Sequence, residues 1–219
     1  MAGDGMTHIT DITEPGEIER SSFDIIDSEV PEPRPFKGAQ WEIVRRMIHT
    51  TADFELLSLV VFHPDAVSKG VEAIRRGCTI VTDTDMARMG IGMRRIDQWG
   101  CRVECLMGHP AVARRALEKG VTRAMVAVDM AASRSDIGIF VIGNAPTALL
   151  RLLEYVDSGI CSPDLVVGMP VGFVNARESK ELLMGQSKVP YISIKERKGG
   201  SAVAASVINA IAELAGRGR

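Results

Sequence analysis

The chain has 219 residues, a length that suits one α/β domain, and 46% of it is hydrophobic, enough to fill a real core. Only 5% is aromatic, which supplies few surfaces for stacking bases and sets nucleic acid aside as a partner. Net charge is −2 and no apolar run approaches the roughly 20 residues of a membrane span. The four cysteines, Cys78, Cys101, Cys105 and Cys161, form no CxxC pair, so a reduced, cytoplasmic protein without membrane attachment is expected.

The charge is unevenly spread. Residues 1–34 carry nine acidic and two basic side chains, the remainder 19 acidic and 24 basic. The mildly basic body suits an anionic small molecule. Residues 1–15 read as a loose acidic leader rather than a signal peptide, and 16–219 as the α/β domain.

In chain order, Gly16–Glu29 reads as a helix with Ile18, Phe23 and Ile26 inward. The PEPRP run at 31–35 cannot continue it, because each proline lacks a donor and fixes its φ. An amphipathic helix follows near Gln40–Thr51, with Trp41, Val44 and Ile48 on one face. LLSLVVF from Leu56 reads as a strand, and Pro64 opens a helix that ends at Gly77. CTIVTD and CRVECLM read as strands, Pro110 opens a helix to Gly120, and 122–133 reads as helical. IGIFVIG, LVVGM and YISI are the later strands, each followed by a helix, the last over about Ser201–Leu214. Continuous apolar strands alternating with amphipathic helices predict a doubly wound, mainly parallel sheet with helices on both faces.

Three tight turns stand where a late strand hands over to a helix: IGNAPTAL from Ile142, VGMPVGFVNARESK from Val167 and RKGGSAVAAS from Arg197. Glycine lets backbone approach a ligand, and ligands of open α/β sheets bind beyond the carboxyl ends of the strands. Asn144 can cap the helix that Pro146 begins, and Asn175 with Glu178 has capping-box spacing. Lys180 follows within two turns. Gly199, Gly200 and Ser201 offer amides at a helix start, with Arg197 and Lys198 beside them. Among the histidines, His49 ends RRMIHTTAD, and histidine gains and loses a proton near neutral pH. No two histidines share metal-ligand spacing on a helix, and neither a metal nor an organic cofactor is expected. Asp83 and Asp85 in VTDTDM fit a magnesium or phosphoryl site, and fit capping and turn formation as well. GIGMRR lacks the third glycine of a dinucleotide loop, and neither a P-loop nor a GxSxG elbow is present.

These segments together resemble the precorrin-8X (cobalt-precorrin-8) methylmutases of corrin-ring biosynthesis. The resemblance rests on EIERSSFDII, RRMIHTTAD, the DTDM turn, VTRA at 121–124, IGNAPTALLRLLE, GMPVGFVNARESKELL and RKGGSAVAASVINA, and covers about residues 16–214. It implies an isomerase that moves a methyl group from carbon 11 to carbon 12 of a tetrapyrrole-derived ring. It further implies a homodimer without cofactor that exchanges ligand with neighbouring pathway enzymes. Residue by residue, it implies His49 as the catalytic acid and base, with Ser22, Arg123, Lys180 and Arg197 contacting substrate. Asn175 and Glu196 depart from it, each standing where a glycine is usual. A non-catalytic corrinoid carrier on the same scaffold is the rival reading, and a magnesium-dependent phosphoryl enzyme using Asp83 and Asp85 is a third.

Overall fold

The computed structural model describes residues 13–217. They fall into two compact units that part after Arg34. The described part of the first is helix α1, Pro15–Glu29, and the turn behind it. The Glu14 carboxylate accepts from the Glu17 amide at 2.8 Å, and Pro15 takes the first turn, where an amide donor is not needed. At the other end the Arg34 guanidinium donates to the carbonyls of Val30 and Asp27 at 2.7 and 3.1 Å, satisfying acceptors that a helix end leaves open. Ile26 is buried, but Ile18 is 45% exposed, so the inward face expected for Ile18 is not formed. Most of the expected leader over 1–15, His8 included, lies outside the described residues.

The second unit, Pro35–Arg219, holds the sheet. Its elements are α2 Gly38–Thr51, α3 Leu56–Leu59, β1 Val60–Phe62, α4 Ala66–Arg75, β2 Thr79–Thr82, α5 Asp85–Gly90, α6 Met93–Ile96, β3 Arg102–Cys105, α7 Pro110–Lys119, α8 Arg123–Ala131, β4 Ile137–Ile142, α9 Pro146–Asp157, β5 Leu165–Gly168, α10 Ala176–Met184, β6 Tyr191–Ile194 and α11 Ser201–Gly216. The strand order is β1-β6-β5-β4-β2-β3. All neighbours are parallel except β1, which pairs antiparallel with β6 at one edge. The expected doubly wound sheet is therefore present.

Two expectations for this region change. LLSLVVF is not one strand, because its first half winds into α3. Leu56 and Leu59 are buried together from a single helical turn, whereas a strand would have sent these two, three positions apart, to opposite faces. Pro64 also stands outside the helix it was expected to open, since α4 begins at Ala66.

The central strands are buried along their whole length, as strands covered on both faces must be. Phe140, Ile142 and Val166 pack with Leu149, Leu152 and Leu183 of α9 and α10 and with Val128 of α8. On the opposite face α4 and α11 cover the sheet. There a Cβ on Gly70 would come within 3.0 Å of Leu165 and 3.1 Å of Ile211, so a larger residue would have to push those two side chains aside. Helix α2 lies along α11, fixed where the buried Arg46 donates twice to the Glu213 carboxylate, at 2.7 and 2.8 Å.

In this order the chain moves from β2 outward to β3, then returns past β2 to β4, β5 and β6. The winding direction reverses between β2 and β4, and the crevice of a doubly wound sheet opens beyond the carboxyl ends of the strands at that reversal.

Candidate active site

The reversal point is built from four turns joined to one another. Asp83 follows β2 directly and is buried. Its carboxylate accepts from three successive amides of the turn after β4: Gly143 at 2.9 Å, Asn144 at 2.8 Å and Ala145 at 2.6 Å. Burial pushes this carboxyl above the usual carboxylate range, and the three amides pull it back. Next along, the hydroxyls of Thr84 and Ser201 meet at 2.8 Å, tying the β2 turn to the start of α11. Gly143 faces that start so closely that a Cβ would lie 2.7 Å from the Ser201 Cα. The turn after β5 joins through the Gly200 amide, which donates to the Met169 carbonyl at 2.9 Å, and through the Gly172 amide, which donates to Arg197 at 3.2 Å.

The three turns singled out from the sequence thus meet at one end of the sheet, and the DTDM turn joins them. Asp83 does so with its own carboxylate oxygens, and Asp85 pairs with Arg88 at 2.8 Å. The donor set for a magnesium ion is therefore spent on backbone and on an arginine. Among the described residues no group of three or more His, Cys, Asp or Glu side chains is gathered as metal ligands. Asn144 does not cap α9: its side chain takes no part, and the cap residue is Ala145. Nor does Asn175 form a capping box, because it sits at φ 58° and its side chain accepts no helix amide.

His49 stands exposed in the last turn of α2. That helix end faces the turn after β6. Lys198 donates to Asp53 at 2.5 Å and pairs with Glu55 at 2.5 Å. A cavity of about 230 Å³ lies between them, lined by Thr51, Asp53, Val171, Lys198 and Gly199 among others. Arg197, on the same turn, holds its guanidinium 5.4 Å over the ring of Phe173 from the turn after β5. His49 and Arg197 are therefore carried by two segments clasped through Lys198, a residue the sequence marked only for its charge.

Arg123 begins α8, exposed. It lines a separate open groove of about 770 Å³ with Arg114, Leu117, Gly120 and Val121. Thr122 beside it meets Thr147 of the β4 turn, hydroxyl to hydroxyl, at 3.0 Å, so Arg123 adjoins the crevice through that turn. Ser22 lies on α1 in the first unit, where its hydroxyl donates to the Ile18 carbonyl at 2.8 Å.

Lys180, for which the resemblance implies a substrate contact, is fully buried, and its ammonium donates to the Lys198 carbonyl at 2.5 Å from beneath the Arg197–Gly200 turn. Burial pushes its pKa down to about 8, against the opposing pull of the Glu196 carboxylate. An unfolded lysine keeps its proton to about pH 10.4. Between pH 8 and 10 the unfolded chain thus holds more protons, and the folded protein gains stability as pH rises. Below pH 8 the penalty for burying the charge is present in full. Lys180→Met removes that titration. Wild type should therefore gain roughly 1–3 kcal/mol relative to Lys180→Met between pH 7.5 and 9.5, read by urea denaturation. A gap that stays constant would show that the ammonium is not destabilised by its burial.

The two departures from the family pattern share a physical basis. Asn175 and Glu196 both have left-handed backbone, at φ 58° and 59°, the conformation that favours glycine. Asparagine tolerates it better than glutamate. The Glu196 carboxylate turns to Arg177 at 3.5 Å.

A doubly wound sheet with a pre-formed crevice at its reversal point belongs to the open α/β proteins that bind small molecules there, and comparison with known proteins narrows the class. A family model described as Precorrin-8X methylmutase matches residues 17–214. A protein of Priestia megaterium named cobalt-precorrin-8 methylmutase is 43% identical over 94% of this chain and 90% of its own length. One of the same name from Salmonella typhimurium is 45% identical over 91% of this chain and 95% of its own. The crystal structure of a precorrin-8X methyl mutase from Thermus thermophilus superposes with a TM-score of 0.86 at 42% identity, covering 93% of this chain and 97% of that one. The chain belongs to the precorrin-8X methylmutase family. It is an enzyme of the isomerase class, a methylmutase of cobalamin biosynthesis.

Proposed function

We propose that this chain moves the methyl group on carbon 11 of precorrin-8X, or of its cobalt complex, to carbon 12, with His49 as general acid and base. The product is hydrogenobyrinate or cobyrinate. The single observation that carries this reading is the crevice at the β2–β4 reversal point, with the end of α2 and its His49 clasped to one of its turns.

The substrate is a wide, largely apolar ring edged with carboxylate arms. Its faces call for apolar walls, and Met86 in the first turn of α5 and Val171, Phe173 and Val174 on the turn after β5 stand exposed. Its arms call for cations and amides at the rim. Arg197 is held over Phe173 and Arg123 adjoins through Thr122, while for Ser22 the family resemblance alone supports a contact. Lys180 acts on the arms through the turn it supports, or directly once an arm displaces the Lys198 carbonyl. The reaction itself asks little of the protein. A proton placed on the conjugated ring makes the receiving carbon more electron-poor, the methyl group crosses with its bonding pair, and the proton returns to its donor. One histidine that donates and retrieves that proton is sufficient acid–base machinery.

The enzyme works as a cytoplasmic homodimer, which closes a crevice this broad, and it takes substrate from and passes product to neighbouring enzymes. The test is to incubate the purified protein with metal-free precorrin-8X and no added cofactor while following the visible spectrum. Conversion to the hydrogenobyrinate spectrum is expected. Tight binding without any spectral conversion would replace the isomerase with a carrier.

A further inference from the structure

We infer that Asn144 contacts the substrate directly and that the buried Asp83 is the positioning residue that aims it. This rests on the methylmutase reading and adds to it a residue pair for which the sequence suggested only capping or cation binding.

The turn after β4 has three successive amides at the start of a 12-residue helix. Left open, such amides attract an anion. Here they are already filled from inside the protein, by both oxygens of the Asp83 carboxylate at 2.6–2.9 Å. A carboxylate arm arriving at this turn therefore finds these three donors already taken. What the turn presents is the Asn144 carboxamide. It is exposed, does not cap α9, and makes no hydrogen bond to any described residue. It offers two N–H donors and one acceptor.

The backbone that carries that carboxamide is fixed on either side. Gly143 is packed against Ser201, where a Cβ would meet the Ser201 Cα at 2.7 Å. Thr147 is held by Thr122 at 3.0 Å. The Met169 amide donates to the Ile142 carbonyl at 2.8 Å, so the strand end beneath is fixed to the next turn. Burying a carboxylate is costly unless its partners are well placed. In this fold that cost is accepted at the reversal point of the sheet, and the residue held at the tip of the turn is Asn144. With the backbone beneath it already fixed, a hydrogen bond from the carboxamide to a charged arm requires ordering of the Asn144 side chain alone.

The experiment compares wild type, Asn144→Ala, Asn144→Asp, Asp83→Asn and the Asp83→Asn/Asn144→Ala double variant, measuring precorrin-8X turnover and hydrogenobyrinate titration. Asn144→Ala should raise KM and the product Kd about tenfold, the loss of one hydrogen bond to a charged group, with kcat within roughly threefold. Asn144→Asp should lose more, and its deficit should grow as salt is lowered, because a carboxylate then faces a carboxylate. Asp83→Asn leaves one acceptor oxygen where there were two and turns an NH₂ toward amide donors. It should therefore reproduce the KM defect, and in the double variant add almost nothing to Asn144→Ala, the non-additivity expected when one residue acts through the other. A KM for Asn144→Ala within twofold of a working wild type would overturn the contact. Independent, additive effects in the double variant would overturn the positioning by Asp83. Should Asp83→Asn not fold, the two Asn144 variants decide the contact alone. Failure of wild type itself to bind or convert the ring would bring down the methylmutase reading and this inference with it, and is told apart by appearing before any substitution.

Discussion

His49→Ala is expected to lower turnover by roughly 10²–10⁴ while leaving fold and product affinity close to wild type. The separation follows from where the residue stands. Helix α2 is anchored by Trp41, Ile43, Val44, Met47 and Ile48, all buried, and by the Arg46–Glu213 pair. His49 is exposed beyond them, so truncating it opens no cavity in the core. The clasp that brings the helix end to the crevice runs through Asp53, Glu55 and Lys198, whose charges the substitution leaves in place. Stopped-flow turnover with substrate in excess, beside product titration and thermal unfolding, reads the three quantities separately. A turnover within a few-fold of wild type would remove His49 from the acid–base role.

Gly199→Ala is expected to cost about 3 kcal/mol of stability or more and to abolish product binding with it. Gly199 has φ 155°, and a Cβ there would lie 2.1 Å from the Met169 carbonyl oxygen and 2.9 Å from its carbon. Those atoms belong to backbone at the end of β5 and cannot rotate away as a side chain would. The whole turn from Arg197 to Ser201 must move, breaking the Gly200–Met169 hydrogen bond and shifting Arg197. Gly200→Ala is the matched control. Its φ of 129° is also unfavourable to a side chain, but no atom lies within 4 Å of the added carbon, so it should lose only the conformational part, about 1 kcal/mol. Urea denaturation of both variants measures the difference. Equal effects would mean that the close approach to Met169 is not what holds the turn.

The sheet was legible in the sequence because its strands are apolar on both faces and its helices carry clear punctuation at Pro110, Gly120 and Pro146. What misled was local. In LLSLVVF the apolar run has no period, so a helical turn and a strand look alike until the edge pairing of β1 with β6 ends the ambiguity. The three crevice turns were legible from glycine and proline alone. Their fastenings were not, because Asp83 acts on amides some sixty positions away and a DxD spelling carries no trace of that. Lys180 shows the same limit: its spacing after Asn175 says which face of α10 it takes, not that the turn below Arg197 closes over it. The left-handed backbone at Asn175 and Glu196 was foreshadowed only as a departure from glycine.

The hydrogen bonds that build the crevice join residues 61 positions apart at Asp83–Asn144, 117 at Thr84–Ser201 and 145 at Asp53–Lys198. Such separations place the protein among chains whose native contacts are slow to close. They also set an order of events on the ribosome. The segment after the helix bearing His49 emerges first, and the turn it clasps is made about 145 residues later. Until then Asp53 and Glu55 lack their cation, and the part of the crevice that the end of α2 clasps is not built, although the Asp83 fastening can already have formed.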